Sequence, residues 1–313
     1  MFTGPVGAWR LMGVCRAARE GVKVHLTSLP GFVVVRRGLG STARPASDVW
    51  RLDLASLQWE PMPALVTTGY HHVCCAGVGS VAVIGGHTLV GTEETTIASV
   101  EALSSGEGSA FVSLPPLSCG GVHGVAVIAV EESDSTAWQV LLIRGADSTY
   151  HPLSTVQLVD LATGVCTPQP RLRRWRAFAA AARLPDGRVV CAGGYDAGIL
   201  SSVEVLGPPV QGAQDAAWTW TEMSVMSTDR YGCSGCVTSD GGFAVLGGDI
   251  GAIGEPTSPC EALTISASTH WEPLPPMHDA RTNFVCAAMA GCIIVAGGQN
   301  RQSAEAYDEV LGR

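Results

Sequence analysis

Six short apolar runs, each ending in glycine, recur along the 313 residues at a nearly fixed spacing. They are VVVRRG ending at Gly38, VAVIGG at Gly86, VLLIRG at Gly145, VVCAGG at Gly194, FAVLGG at Gly248 and IIVAGG at Gly298. Successive ends lie 48, 59, 49, 54 and 50 residues apart. A period of about 50 residues built from short strands predicts a β-propeller, because a blade of this kind has apolar faces that only its neighbours around a ring can cover.

The rest of each unit keeps step. A turn glycine stands six residues before the first doublet position in five units, at Gly31, Gly79, Gly187, Gly241 and Gly291, where a tight hairpin calls for positive φ. The doublets themselves are Gly85 and Gly86, Gly193 and Gly194, Gly247 and Gly248, and Gly297 and Gly298. A polar loop is expected after each, then a third strand: SDVWRLDL, ASVEAL, STVQLVDL, SSVEVL, PCEALTI and SAEAYDE. The fourth strands often open with an aromatic residue and end in Met or Pro, as in QWEPMP, TWTEM and HWEPLPPM. This order of apolar run, Gly-Gly, acidic strand and tryptophan resembles the kelch repeat, over almost the whole chain. The resemblance implies an all-β, six-bladed kelch-type propeller that occupies residues 1–313 as one domain. Arg37 and Arg144 depart from the pattern, standing where the first glycine belongs, so those turns must be built differently or strained. EESDSTAW in the third unit reads as a lengthened hairpin loop.

Closure of the ring follows from phase. Trp59, Trp220 and Trp271 precede the next doublet position by 26, 27 and 26 residues, and Trp9 precedes Arg37 by 28. Residues 8–12, AWRLM, are therefore expected to supply the missing fourth strand of the last unit, with 13–21 as connector. The rival reading is a helix, since WRLMGVCRAARE resembles the tail of an F-box.

Composition excludes several classes. No apolar stretch approaches the ~20 residues of a membrane span, and a formal charge of −9 argues against general nucleic-acid binding. RLRRWR, residues 171–176, is the one dense basic cluster, read as a solvated loop or as an acceptor for acidic peptide or phosphate. Eleven cysteines, an odd number, fall mostly in inner strands among small apolar neighbours and are expected as free thiols in a reducing, cytoplasmic setting. The spacing of Cys233 and Cys236 is zinc-like, but no second pair follows, and in a strand the two side chains face opposite ways. The first nineteen residues carry three arginines and no acid, which makes an organelle transit peptide the alternative address.

Catalytic patterns are few. HExxH, GxSxG and P-loop sequences do not occur. The kelch resemblance brings in copper radical oxidases and sugar epimerases or mutarotases as the enzymes of that fold. The first need tyrosine and histidine ligands around a cross-linked tyrosine, and the adjacent His71 and His72 cannot both point at one metal from a regular strand. The second need an arginine–carboxylate arrangement that one sequence cannot assemble. No cofactor or metal is expected.

The resemblance implies instead that first-strand arginines lie near one mouth of the channel and that the loops after the doublets surround it. The matching residues are Arg176, Arg230 and Arg281, with Thr68 at this phase in the second unit. The loops open on His87, Tyr195, Asp249 and Gln299, the last followed by Asn300 and Arg301. Such arginines and tyrosines hold acidic peptide motifs in BTB-kelch adaptors, by bidentate guanidinium–carboxylate pairing. The other reading is that they bond blade carbonyls or carboxylates. The expectation is a non-catalytic protein-interaction module, a scaffold or substrate-recognition adaptor with ubiquitin-ligase components as partners. A sugar-modifying enzyme is the alternative.

Overall fold

The computed structural model describes residues 32–35, 47–53, 58–77, 80–103, 109–130, 138–143, 145–147, 149–208, 217–251, 254–265, 269–289, 291–299, 301, 303–310 and 312. These residues form strands, turns and bridges, with no helix among them, so none that is long and apolar enough to cross a membrane.

The strands run in chain order through successive antiparallel sheets. The first sheet holds β1 (Phe32–Val35), β2 (Val49–Asp53) and β3 (Gln58–Met62). The second holds β4 (Val73–Gly77) and β5 (Ser80–Ile84). It continues, past a separate ribbon of β6 (His87–Val90) and β7 (Glu93–Thr96), with β8 (Val100–Leu103) and β9 (Phe111–Leu114). The third comprises β10 (Ala126–Val130), β11 (Gln139–Ile143), β12 (Val156–Asp160) and β13 (Cys166–Gln169). The fourth comprises β14 (Ala180–Arg183), β15 (Val189–Ala192), β16 (Val203–Gly207) and β17 (Thr219–Met223). The fifth comprises β18 (Ser234–Val237), β19 (Phe243–Leu246), β20 (Cys260–Thr264) and β21 (His270–Leu274). The last has β22 (Val285–Met289), β23 (Cys292–Ala296) and β24 (Ala304–Asp308).

Sheet faces meet in sequence, which makes the fold a β-propeller. Ala82 and Ile84 pack on Val140 and Leu142, Ile143 and Val156 on Cys191 and Leu206, Val190 and Val203 on Phe243, and Leu246 on Ile293 and Val295. The second strand of each of these sheets is apolar almost throughout because both its faces are covered; β15 and β19 are buried at every position. Fourth-strand tryptophans tie down a segment one unit earlier, since a buried indole N–H needs an acceptor. Trp220 Nε1 donates to the Pro170 carbonyl and Trp271 Nε1 to that of Ser224, both at 2.9 Å.

Two expectations need correction. Innermost strands β4, β10, β14, β18 and β22 follow one another side by side, so the described residues show five blades where the sequence predicts six. The β1–β2–β3 sheet has no described innermost strand, although Val49 packs on Val83 and Phe111, and Trp59 on Ile294 and Ala296. Secondly, the loop after the Gly85–Gly86 doublet is not irregular: it pairs with itself as the β6–β7 ribbon, His87 opposite Thr96 and Val90 opposite Glu93. The third-unit insertion does join a hairpin, with Val130 paired to Gln139 on either side of it. Residues 8–21, Gly31, Arg37, Gly38, Gly79, 131–137, Arg144 and Asn300 lie outside the described residues.

Cys75, Cys166, Cys191, Cys233, Cys236, Cys260 and Cys286 are free thiols, and Cys233 and Cys236 face different blade interfaces, one against Phe243 and Val203, the other against Phe284 and Ile293. Burial pushes the thiols of Cys75 and Cys191 up to about 12 and that of Cys233 up to about 11. Slow native labelling of these three by a thiol reagent is expected, with full labelling after denaturation. Rapid native labelling of Cys191 would contradict the packing.

Candidate functional site

A single acidic position explains where the three arginines go. Glu204, Glu261 and Glu305 each stand second in the third strand of their sheet, opposite Cys191, Val245 and Val295, two residues before the first doublet glycine. That register puts the carboxylate beneath the doublet turn. Arg176 then donates from Nη1 to the Gly193 and Ser202 carbonyls at 2.7 and 3.0 Å and from Nη2 to Glu204 Oε1 at 2.7 Å. Arg230 repeats this on Gly247, Pro259 and Glu261 at 2.8, 2.9 and 3.0 Å. Arg281 does so on Gly297, Ser303 and Glu305 at 2.6, 3.0 and 2.8 Å.

The same carboxylates also hold the segment leading into the first strand. Glu204 accepts from the Arg173 and Arg174 amides, Glu261 from the Ser227 amide, and Glu305 from those of His278 and Asp279. Each Arg–Glu pair is a latch joining three parts of one blade. With 1%, 1% and 0% exposure, Arg176, Arg230 and Arg281 do not line an open surface. Their guanidiniums face into the blades.

Two units modify the latch. The residue two positions after each arginine has a left-handed backbone: Phe178 at φ 56°, Gly232 at 62° and Asn283 at 52°. His71 at 56° and Gly124 at 60° continue the series, so the arginine position in the second unit is Gly69, not Thr68, and in the third it is Val122. Glu101 survives in the second unit, accepting from the Val66 and Thr67 amides at 2.7 Å each. In the third the acid is replaced as well, by Gln157.

Around the mouth the left-handed residues alternate large and small: His71, Gly124, Phe178, Gly232, Asn283. A Cβ on Gly124 would come 2.9 Å from the Phe178 ring, and one on Gly232 would come 3.2 Å from Asn283 Oδ1, so each large side chain lies over the preceding glycine. A non-glycine residue in this region costs about 1 kcal/mol or more. Histidine and phenylalanine are thus kept where glycine would be easier.

The residues between arginine and left-handed position pair with those after the doublets: Tyr70 with His87, His123 with Ala146, Ala177 with Tyr195, Tyr231 with Asp249. The rings among them, with those of His71 and Phe178, make a chain of contacts. Centroids are 4.1 Å apart for His87 and His123, 5.9 Å for His71 and Phe178, 6.4 Å for His123 and Phe178, and 6.1 Å both for Phe178 and Tyr231 and for Tyr195 and Tyr231. Tyr150, itself left-handed at φ 64°, lies 5.0 Å from His123 and donates to Glu94 of the ribbon at 2.7 Å. Of the other expected residues, Gln299 is exposed with its amide on the Thr282 carbonyl, and exposed Arg301 lies 3.3 Å from Asp279.

Burial depresses both central histidines. His123 falls to about 4 because it is desolvated and next to His87; His87 falls through its own desolvation. The Tyr150 hydroxyl rises to about 12 through burial and the Glu94 carboxylate. Glu94 is held low by the facing Tyr70 hydroxyl, which approaches without a hydrogen bond of full geometry, and by Tyr150. A histidine depressed on folding binds its proton more readily in the unfolded chain, so its contribution to stability is present above the ordinary value of 6.5 and is lost as pH falls toward 4. The melting temperature is expected to decline over that interval, and His123→Phe to flatten the decline. An unchanged slope in the variant would contradict this.

Of the ring cluster, His87 and Tyr195 are the members that the sequence singles out; the glutamates and the remaining rings are not. The glutamates had a signal, one acid at a fixed place in four third strands; so did Phe178 and His71, in phase with Gly124 and Gly232. His123, Tyr150 and Glu94 had none.

No family model matches the chain, and no curated protein matches it. A solved structure titled "Structure of YjhT" is similar over 90% of this chain and 95% of that one, with a TM-score of 0.66 at 13% identity. At that identity the likeness shows the shared β-propeller fold alone.

Proposed function

We propose that the chain is a non-catalytic interaction module, a kelch-type scaffold or substrate-recognition adaptor that receives a protein or peptide at the ring-lined mouth. One observation carries this. Phe178 and His71 hold a conformation that neighbouring units give to glycine, and Phe178 contacts the half-buried Tyr231, which in turn meets Tyr195. Aromatic anchors grouped on a rigid scaffold are what protein interfaces use for affinity. The acidic-motif expectation rests on Arg176, Arg230 and Arg281, and all three are engaged inside the blades. Closure of the last blade by residues 8–12 belongs to this proposal, as do a ubiquitin-ligase link through the F-box-like segment and a cytoplasmic setting.

Affinity purification of the full chain beside Tyr195→Ala tests the reading. Partners held by the wild type and lost by the variant support it, and cullin or Skp1-like proteins among them would favour the adaptor over a plain scaffold. Equal recovery of every partner by both proteins would remove the mouth as the binding face. The second reading, a sugar-modifying enzyme, draws on His87, His123, Tyr150 and Glu94, which bring neutral imidazoles, a phenol and a carboxylate together. Turnover of a free sugar, abolished by His123→Phe, would favour it.

A further inference from the structure

Beside the histidines, the mouth contains a second arrangement of different chemistry. Phe178 and Tyr231 meet nearly edge to face, at 84°, and Tyr231 and Tyr195 at 62°, so the three rings turn in different directions. All three are partly exposed. Asp249 is backbone-paired with Tyr231 and only 1% exposed. Its Oδ2 accepts from the Gly254 amide at 3.2 Å, while Oδ1 is buried without a hydrogen-bond partner. Burial and the Asp249 carboxylate push the Tyr231 hydroxyl up; it faces that carboxylate but approaches without a hydrogen bond of full geometry.

An acceptor-only oxygen excluded from water without a donor is unfavourable, and a cation that also donates hydrogen bonds relieves it. Ring faces attract the same cation through their quadrupole, most strongly when it is desolvated. The surrounding field has the matching sign: the formal charge is −9, and Asp196 directly follows Tyr195. The neighbouring cations are engaged elsewhere, Arg174 with Asp196 at 3.7 Å and Arg176 and Arg230 with Glu204 and Glu261 inside their blades. The strained backbone of Phe178 fixes one wall in place before any ligand arrives.

We propose that Phe178, Tyr195, Tyr231 and Asp249 form a receptor for the ammonium or guanidinium group of a lysine or arginine side chain on a partner protein. This rests on the interaction-module reading and gives the partner's anchor a sign opposite to that expected from the arginines. Asp249 supplies the charge and the hydrogen-bond acceptor, and the rings discriminate a cation from an apolar side chain of the same length.

The test titrates the full chain with acetyl-Gly-Gly-Lys-Gly-Gly-amide and with the same peptide carrying norleucine or trimethyllysine, followed by saturation-transfer NMR. Lysine is expected to bind about tenfold more tightly than norleucine, and Asp249→Asn to remove most of that difference. The peptide comparison needs no variant, so it stands even if Asp249→Asn folds poorly. Equal affinity for lysine and norleucine would overturn the proposal, and so would an Asp249→Asn protein of unchanged melting temperature that keeps the full preference. Tetramethylammonium chloride binding more tightly than any of the peptides would overturn the peptide assignment in favour of a small free cation. If Tyr195→Ala loses its partners while lysine and norleucine bind alike, the receptor falls and the module stands. If Tyr195→Ala loses none, the mouth is not the binding face and the receptor falls with it.

Discussion

Replacing Arg230 with alanine is expected to destabilise the chain by about 3–5 kcal/mol, the cost of leaving one charge of a buried pair alone. Arg230 and Glu261 are 1% and 3% exposed, and the guanidinium also satisfies the carbonyls of Gly247 and Pro259. Its loss strands an internal carboxylate and two acceptors at once. Removal of both charges is a different matter, and the protein holds its own precedent. In the third sheet the positions of Arg230 and Glu261 are taken by Val122 and Gln157, and that blade is built regardless. Arg230→Val with Glu261→Gln is therefore expected to recover a substantial part of the loss seen for Arg230→Val alone. Chemical denaturation of the four proteins gives the coupling directly. A loss within about 0.5 kcal/mol for Arg230→Ala, the usual range for surface substitutions, would show that the latch is not what joins the blade.

Gly248→Ala is expected to be of similar severity for a different reason. The second doublet glycine has φ 96°, outside the regions open to L-residues, and its hydrogen faces the Tyr231 carbonyl and Cys233 Cβ. An alanine Cβ would come within 2.8 and 2.9 Å of those atoms. Backbone strain alone costs about 1–3 kcal/mol, and the clash with fixed backbone adds to it. Gly251, at φ 70° with open space around its Cβ direction, provides the control, since Gly251→Ala carries strain without collision. A larger loss at Gly251 than at Gly248 would contradict the account.

The repeat was readable from sequence because its physical requirements are local. Doublet glycines need positive φ, second strands need apolar residues on both faces, and each requirement is met within a few positions. The arginines were readable as positions but not as roles. Their partners Glu204, Glu261 and Glu305 lie 28, 31 and 24 residues downstream, and only the sheet register brings them under the doublets. Counting back from the doublet points to Thr68 because that spacing varies by one residue; the left-handed His71 shows that Gly69 occupies the arginine position. His87 and His123 illustrate the remainder. They belong to different repeats, and nothing local in either segment records that their rings end up 4.1 Å apart. The β6–β7 ribbon escaped for the opposite reason, its polar threonines and glutamates reading as loop although they pair with one another.

Arg230→Ala and Phe178→Gly, measured together for melting temperature and for partner capture per folded molecule, separate the latches from the binding face. Phe178→Gly gives up ring contacts but relieves a left-handed phenylalanine, so its melting temperature is expected to stay near that of the wild type while capture is lost. Arg230→Ala is expected to melt far lower, with capture by the remaining folded molecules unchanged. The reverse pattern, in which Arg230→Ala melts normally and loses its partners while Phe178→Gly keeps them, would contradict the account.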